Sequence, residues 1–341
     1  MNNNLAFRIS AIRDSFVIWP SSLVIRRPLL ALLLPFVCGV QIVSAQTNVA
    51  PANATIPHSP RLQELVDRAA QQVLEKFADK KLERNQLAIT LVDLSDAQKP
   101  AQAAFRGGEQ IYPASVVKLF YLGAAHRWME DGKLKDTEEL RRAMRDMIVE
   151  SLNEATGLIV DSLTDTTSGP ELPPVELEAW YQKRNAVNRY YSSLGYANIN
   201  LNRKPWCEGP YGREMQSVQL HKPNHRNWLT TDATARLLTE IVTGKAVSAD
   251  RCKQMMELLH RDPAPEVGNK NDQAHAYTAL ALPPGAKLWS KAGWTSQSRH
   301  DAAYVELPTG QKFVLVTFTN DHAAERDIIA TVTRAVVEGL K

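Results

Sequence analysis

The sequence predicts an α+β protein. Strands from both ends of the chain form one antiparallel sheet, terminal helices flank it, and an all-helical lobe lies between. Three observations carry this prediction. Residues 87–92 and 101–106 read as strands early in the chain, and three further strand-like runs fall between 287 and 319. Amphipathic helical patterns stand outside these strands at both ends. The long block between them is mostly of helical period. Strands so far apart can pair only if they share one sheet, with the helical block as a second lobe.

The chain has 341 residues, 44% of them hydrophobic and 23% charged, an ordinary globular composition that excludes disordered and multi-span membrane classes. The formal charge of +3 resides in residues 1–45, where Arg8, Arg13, Arg26 and Arg27 face only Asp14. The remainder is balanced, so no nucleic acid partner is expected. Arg26-Arg27 precedes an apolar run to Val43, and Val43-Ser44-Ala45 supplies small residues for cleavage. Residues 1–45 are therefore expected to be a signal peptide, removed before Gln46. The mature protein is expected in the periplasm or outside the cell, with no membrane span after cleavage. Cys207 and Cys252 then remain, and an exported protein could pair them or bury them separately. No Cys/His metal spacing is present, and neither metal nor cofactor is expected.

Residues 46–58, rich in Asn, Thr, Ala and Pro, read as a tether, and 59–341 as one folded domain. Its sheet lobe is expected over 59–112 and 285–341, its helical lobe over 113–284. Ser59-Pro60 starts the first helix, with Leu62, Leu65, Val66, Ala69, Val73, Leu74 and Phe77 on one face. After the first two strands and the Gly107-Gly108 turn, residues 115–129 are apolar nearly all round, the pattern of a buried central helix. Helices are expected at about 136–149, 153–163 and 176–194. Residues 195–228 show no clear period. Helices follow from 232 to 243 and from 248 to 260. Lys287–Lys291, Tyr304–Leu307 and Lys312–Thr319 read as strands, and a last helix runs from about His322 to Leu340.

Ser115-Val116-Val117-Lys118 opens the buried helix. A spacing of three puts Lys118 one turn beyond Ser115 on the same face. Burial disfavours an ammonium, so the amine can take the proton that serine must lose to become a nucleophile. The helix N-terminus favours negative charge developing at Ser115. One Ser-x-x-Lys match is weak evidence by itself, but Ser151-Leu152-Asn153 and Lys291-Ala292-Gly293 follow in order.

These three pieces resemble the serine active site of class A β-lactamases and penicillin-binding proteins. The resemblance covers roughly residues 60–340, including Asn153–Leu158 and Leu229–Ala235, and is nearest to the class A branch. It implies the β-lactamase/transpeptidase-like fold. It also implies Ser115 as the acylated nucleophile, Lys118 as proton acceptor and Ser151 as a relay to the leaving nitrogen. Asn153 would bind the substrate amide, and Lys291 would hold positive charge near the substrate carboxylate. Gly293 and Trp294 belong to the same strand motif, the backbone N–H groups of Ser115 and Trp294 forming the oxyanion hole. Thr295 and Arg299 are implied carboxylate ligands.

The sequence departs from that pattern at Ala292, where the family has Thr or Ser, and at Leu152. The Glu-x-x-x-Asn element that activates the deacylating water is missing. Glu208 stands nearest its expected place and Glu214 next. The expected activity is a β-lactam hydrolase acting through an acyl-enzyme on Ser115. The alternatives are a D-Ala-D-Ala peptidase or other acyl transferase acting on peptidoglycan stem peptides, and a non-catalytic envelope module. The partner is thus a small β-lactam or a stem peptide, and the protein is expected to be a monomer.

Overall fold

The computed structural model describes residues 56–206, 209–222, 226–263 and 272–340. The leader, most of the tether, Cys207 and Glu208 lie outside the described residues. Helix α1 (Pro60–Lys76) is capped by the Ser59 hydroxyl, which accepts from the Leu62 N–H at 3.3 Å. Residues 57 and 58, read as tether, instead lie along the sheet: the Gln102 N–H donates to Pro57 O at 2.8 Å.

Strands β1 (Leu87–Asp93) and β2 (Ala101–Phe105) are followed by α2 (Val117–Glu130), α3 (Glu138–Ile148) and α4 (Asn153–Thr164). The helix expected over 176–194 is two, α5 (Pro174–Arg184) and α6 (Ala186–Ser193). Asn185 divides them, its side chain donating back to Tyr181 O at 2.9 Å in competition with the helical ladder. Helix α7 (Gly212–Leu220) lies in the stretch that showed no period. Its inward residues are the polar Glu214 and Ser217, so no apolar stripe announced it. Helices α8 (Thr231–Val242) and α9 (Ala249–Leu259) complete the helical lobe. Cys252 is a buried free thiol in α9.

A two-residue strand, β3 (His260–Arg261), takes the place of the expected helix end. Then come β4 (Lys287–Trp294), β5 (Arg299–Glu306), β6 (Lys312–Thr319) and α10 (Asp327–Gly339). The six strands run β2-β1-β6-β5-β4-β3, every neighbour antiparallel. Strands from both ends therefore do form one sheet, as the patterning required. Strand β5 starts at Arg299, five residues before the expected start, because Arg299, His300 and Asp301 are polar yet buried.

Alternate residues of the sheet enter different cores. Leu87, Leu288, Ala303, Val305 and Leu315 pack under α1 and α10. Ala88, Ala302, Tyr304, Val314 and Val316 pack with α2 and α8. Helix α2 is thereby buried on all sides, Lys118 included. No helix among the described residues is long and apolar enough to cross a membrane.

Candidate active site

Pro113 leads into a single 3-10 turn, Ala114–Val116, that merges with α2. Ala114 has φ of +46°, a left-handed conformation that alanine rarely adopts. Strain of this kind concentrates where a fold must present a side chain in one direction. Here the next residue is Ser115, which remains partly accessible while Val116, Val117 and Lys118 are fully buried. Ser151 is also left-handed, at φ +56°, between α3 and α4.

Lys118 Nζ donates to Ser151 O at 2.6 Å and to Asn153 Oδ1 at 2.8 Å, and lies 3.3 Å from Ser151 Oγ. From the sheet side, Lys291 Nζ reaches the same hydroxyl at 3.0 Å. Ser151 Oγ is thus held between two buried amines, one from the helical lobe and one from β4. Burial pushes the Lys291 ammonium well below the usual lysine range, with Lys118 and Arg261 acting in the same direction and Asp301 opposing them. Its three N–H donors are nonetheless matched by Ser151 Oγ, Gln273 Oε1 at 2.9 Å and Ala292 O at 2.7 Å.

Gly293 lies flat against the nucleophile turn. A Cβ there would stand 2.8 Å from Pro113 O and Ser115 N, and 2.9 Å from Val116 N. Only glycine lets β4 approach so closely. The contact brings the start of Trp294 beside the Ser115 backbone, the pair expected to bind an oxyanion. The Trp294 side chain is 52% exposed and Leu152, beside Ser151, is 45% exposed, which leaves two large apolar side chains in solvent at the motifs. Thr295 Oγ1 accepts from Gln297 N at 3.1 Å and Ser298 N at 3.0 Å, closing the β4–β5 turn.

Arg299 is not gathered with this group. Its strand parity puts it with Ala303 and Val305, on the face under α10. Its guanidinium lies 4.2 Å from the Tyr277 ring centroid, and the residue is buried. Glu214 is also turned to structural use. Its Oε1 accepts from Arg184 Nη2 at 2.7 Å and Ser168 Oγ at 2.9 Å, in a buried group with Asp161 and Lys204.

Two residues absent from the motifs help to build the site. His300, opposite Gly293 on β5, accepts from the Thr319 N–H at Nδ1, 3.1 Å away. Its Nε2 must then carry the proton, and it donates to Tyr112 O at 2.9 Å, fixing the approach to Ser115. Gln273 ties Lys291 to the end of α3. Neither carried a sequence signal, since each is an isolated polar residue whose partners are distant in the chain.

Burial lowers His300 to about 4, and burial followed by Arg251 lowers His126 to about 4, against an ordinary 6.5. Both rings are neutral in the folded protein at pH 7. On acidification the unfolded chain takes up these protons from about pH 6.5, the folded chain only near pH 4. Stability from this source is full above the unfolded value and falls toward the folded one, by roughly 2 kcal/mol per histidine at pH 5. Urea midpoints at pH 7 and pH 5 check this, with Asp232 and Asp301, whose carboxyls burial pushes up, acting in the opposite sense; a higher midpoint at pH 5 would contradict two neutral buried rings.

Residues 139–340 match the Beta-lactamase enzyme family. No curated protein matches the chain. Among solved structures, a β-lactamase from Sphaerobacter thermophilus is 21% identical, covering 82% of this chain and 98% of its own, with a TM-score of 0.57. PBP-A is 17% identical over 84% of this chain and 99% of its own, with a TM-score of 0.59. A β-lactamase from Chitinophaga pinensis is 19% identical over 80% of this chain and 100% of its own, with a TM-score of 0.58. At these identities the structural likeness establishes the shared fold. With a family match running from Glu139 to Leu340, over more than half its length, the chain belongs to the β-lactamase enzyme family and is a serine β-lactamase-type hydrolase.

Proposed function

We propose that the protein is a class A-like β-lactamase that opens the β-lactam amide through an acyl-enzyme on Ser115. The observation that carries this reading is Ser151 Oγ, held 3.3 Å from Lys118 Nζ and 3.0 Å from Lys291 Nζ beside the Ser115 turn. In acylation, Ser115 Oγ attacks the lactam carbonyl and Lys118 takes its proton. The N–H groups of Ser115 and Trp294 bind the developing oxyanion. A proton passes through Ser151 to the lactam nitrogen as the C–N bond breaks. Asn153 binds the side-chain amide of the substrate, and Lys291 with Thr295 attracts its carboxylate. Water then cleaves the ester and regenerates the serine, with Glu208 the candidate base. The Arg26-Arg27 flank and apolar run favour export, which the N-terminus of the protein recovered from a producing cell would check.

One observation favours a second reading, an acyl transferase that penicillin traps. Glu214, the other candidate base, is already bound by Arg184 and Ser168. A related solved structure is described as a PBP-A variant in an acyl-enzyme complex with penicillin G. Mass spectrometry of the protein mixed with benzylpenicillin, followed in time, separates the two. A β-lactamase forms an adduct that turns over and leaves free enzyme with opened drug. An adduct persisting for minutes supports the transferase, and no adduct rejects both.

A further inference from the structure

Gln273 lies at a cavity of about 580 Å³ whose lining includes Ser151, Arg261, Tyr277, Lys291 and Ala292. Its carboxamide is fully engaged. The oxygen accepts from Lys291 Nζ and from the Ala292 N–H, both at 2.9 Å. The nitrogen donates to Ile148 O and Val149 O, both at 3.1 Å. Two acceptor and two donor sites exhaust what an amide commonly uses.

Lys291 has three donors, and Ser151 Oγ, Ala292 O and Gln273 Oε1 fill them. An anionic group arriving at Lys291 must displace one of these. Ser151 Oγ belongs to the proton relay. Ala292 O is main chain of β4. Gln273 is the remaining side chain, and it can rotate. Position 292 supplies only a methyl group, so no hydroxyl there offers a substitute donor. Among the described residues no carboxylate forms an ion pair with Lys291, and a neutral amide occupies that place.

We propose that Gln273 sets the charge selectivity of the site: its carboxamide occupies the acceptor position at Lys291 and the Ala292 N–H that a substrate carboxylate would take, and so narrows the advantage of anionic over neutral substrates. The inference rests on the serine hydrolase reading and adds to it a residue that discriminates among substrates. Displacing Gln273 breaks four hydrogen bonds before the carboxylate gains its own, whereas a neutral substrate leaves them in place.

The test is the ratio of second-order acylation rate constants for benzylpenicillin and for its methyl ester, which masks the carboxylate. Loosening of the Ser151 turn slows both reagents, so the ratio isolates selectivity. Gln273→Ala should raise the anion-to-ester ratio about tenfold, the effect of freeing roughly one acceptor position. Gln273→Glu fills the same volume and retains an acceptor, but its charge should repel the anion and bring the ratio below wild type. An unchanged or lower ratio in the alanine variant would overturn the proposal. So would a glutamate variant with a ratio at or above wild type, which keeps the test open if the alanine variant fails to fold. A wild-type protein that reacts with neither reagent rejects the hydrolase reading, and this inference with it. Reaction with an unaltered ratio rejects this inference alone.

Discussion

Ser115→Ala is expected to remove acylation, with the rate falling roughly 10⁴-fold or more while the fold persists. The substitution deletes the atom proposed to form the ester, and no neighbouring hydroxyl can take its place. Ser151 is already committed to Lys118 and Lys291. The structural cost should be small, within about 0.5 kcal/mol, because Ser115 is partly exposed and its hydroxyl contributes little packing. Labelling with a fluorescent penicillin, alongside a thermal unfolding curve, measures both quantities. Labelling at the wild-type rate would move the nucleophile elsewhere. A lost label with a collapsed melting curve would mean that the turn at Ala114 depends on this hydroxyl for its conformation.

Gly293→Ala is expected to have the second largest effect, and for a steric reason alone. The new methyl group would meet the backbone at Pro113 O and Ser115 N, each 2.8 Å away, and backbone cannot rotate out of the way. Either β4 or the nucleophile turn must shift by several tenths of an ångström. The N–H groups of Ser115 and Trp294, which we propose bind the oxyanion, sit on opposite sides of that contact, so their spacing changes. Losing one such donor lowers acylation by roughly 10²–10³-fold. Overpacking of this sort also destabilises by about 1–3 kcal/mol. Gly108→Ala is the control, since its Cβ would meet nothing within 4 Å. Stopped-flow acylation of the two variants should separate them by orders of magnitude. Equal rates would show that β4 is not the wall of the oxyanion site.

The sheet and the buried helix were legible because apolar residues mark them. Val116, Val117, Leu119, Phe120 and Leu122 leave no polar face on α2, and β1 and β6 alternate or run apolar throughout. Legibility failed where polar residues are buried. Arg299, His300 and Asp301 concealed the first half of β5, and Glu214 paired with Arg184 concealed α7. The Ser115, Lys118, Ser151, Asn153 and Lys291 set was visible because its chemistry is written as short ordered motifs. Gln273 and His300 were invisible because their meaning lies in a partner: Lys291 is 18 residues from Gln273, and Tyr112 is 188 from His300. Arg299 could be picked out as an arginine near the motif, but its face of the sheet depends on where β5 begins.

Strand β1 has β2 on one side and β6 on the other. A ribosome must therefore deliver the chain through β6 before the second edge of β1 finds its mate. Until then β1 presents unpaired main-chain groups that invite other strands. Loop closure over such a span is slow compared with the forming of neighbouring helices. The helical segment can order itself while synthesis continues, but Lys291 and Gly293 reach Ser115 only when the last hairpin docks. Synthesis up to that point thus yields an inert species, and chemical competence arrives in a single step. Nascent chains truncated before β6 should be sensitive to protease at β1 and unable to react with penicillin, even with Ser115 and Lys118 already made.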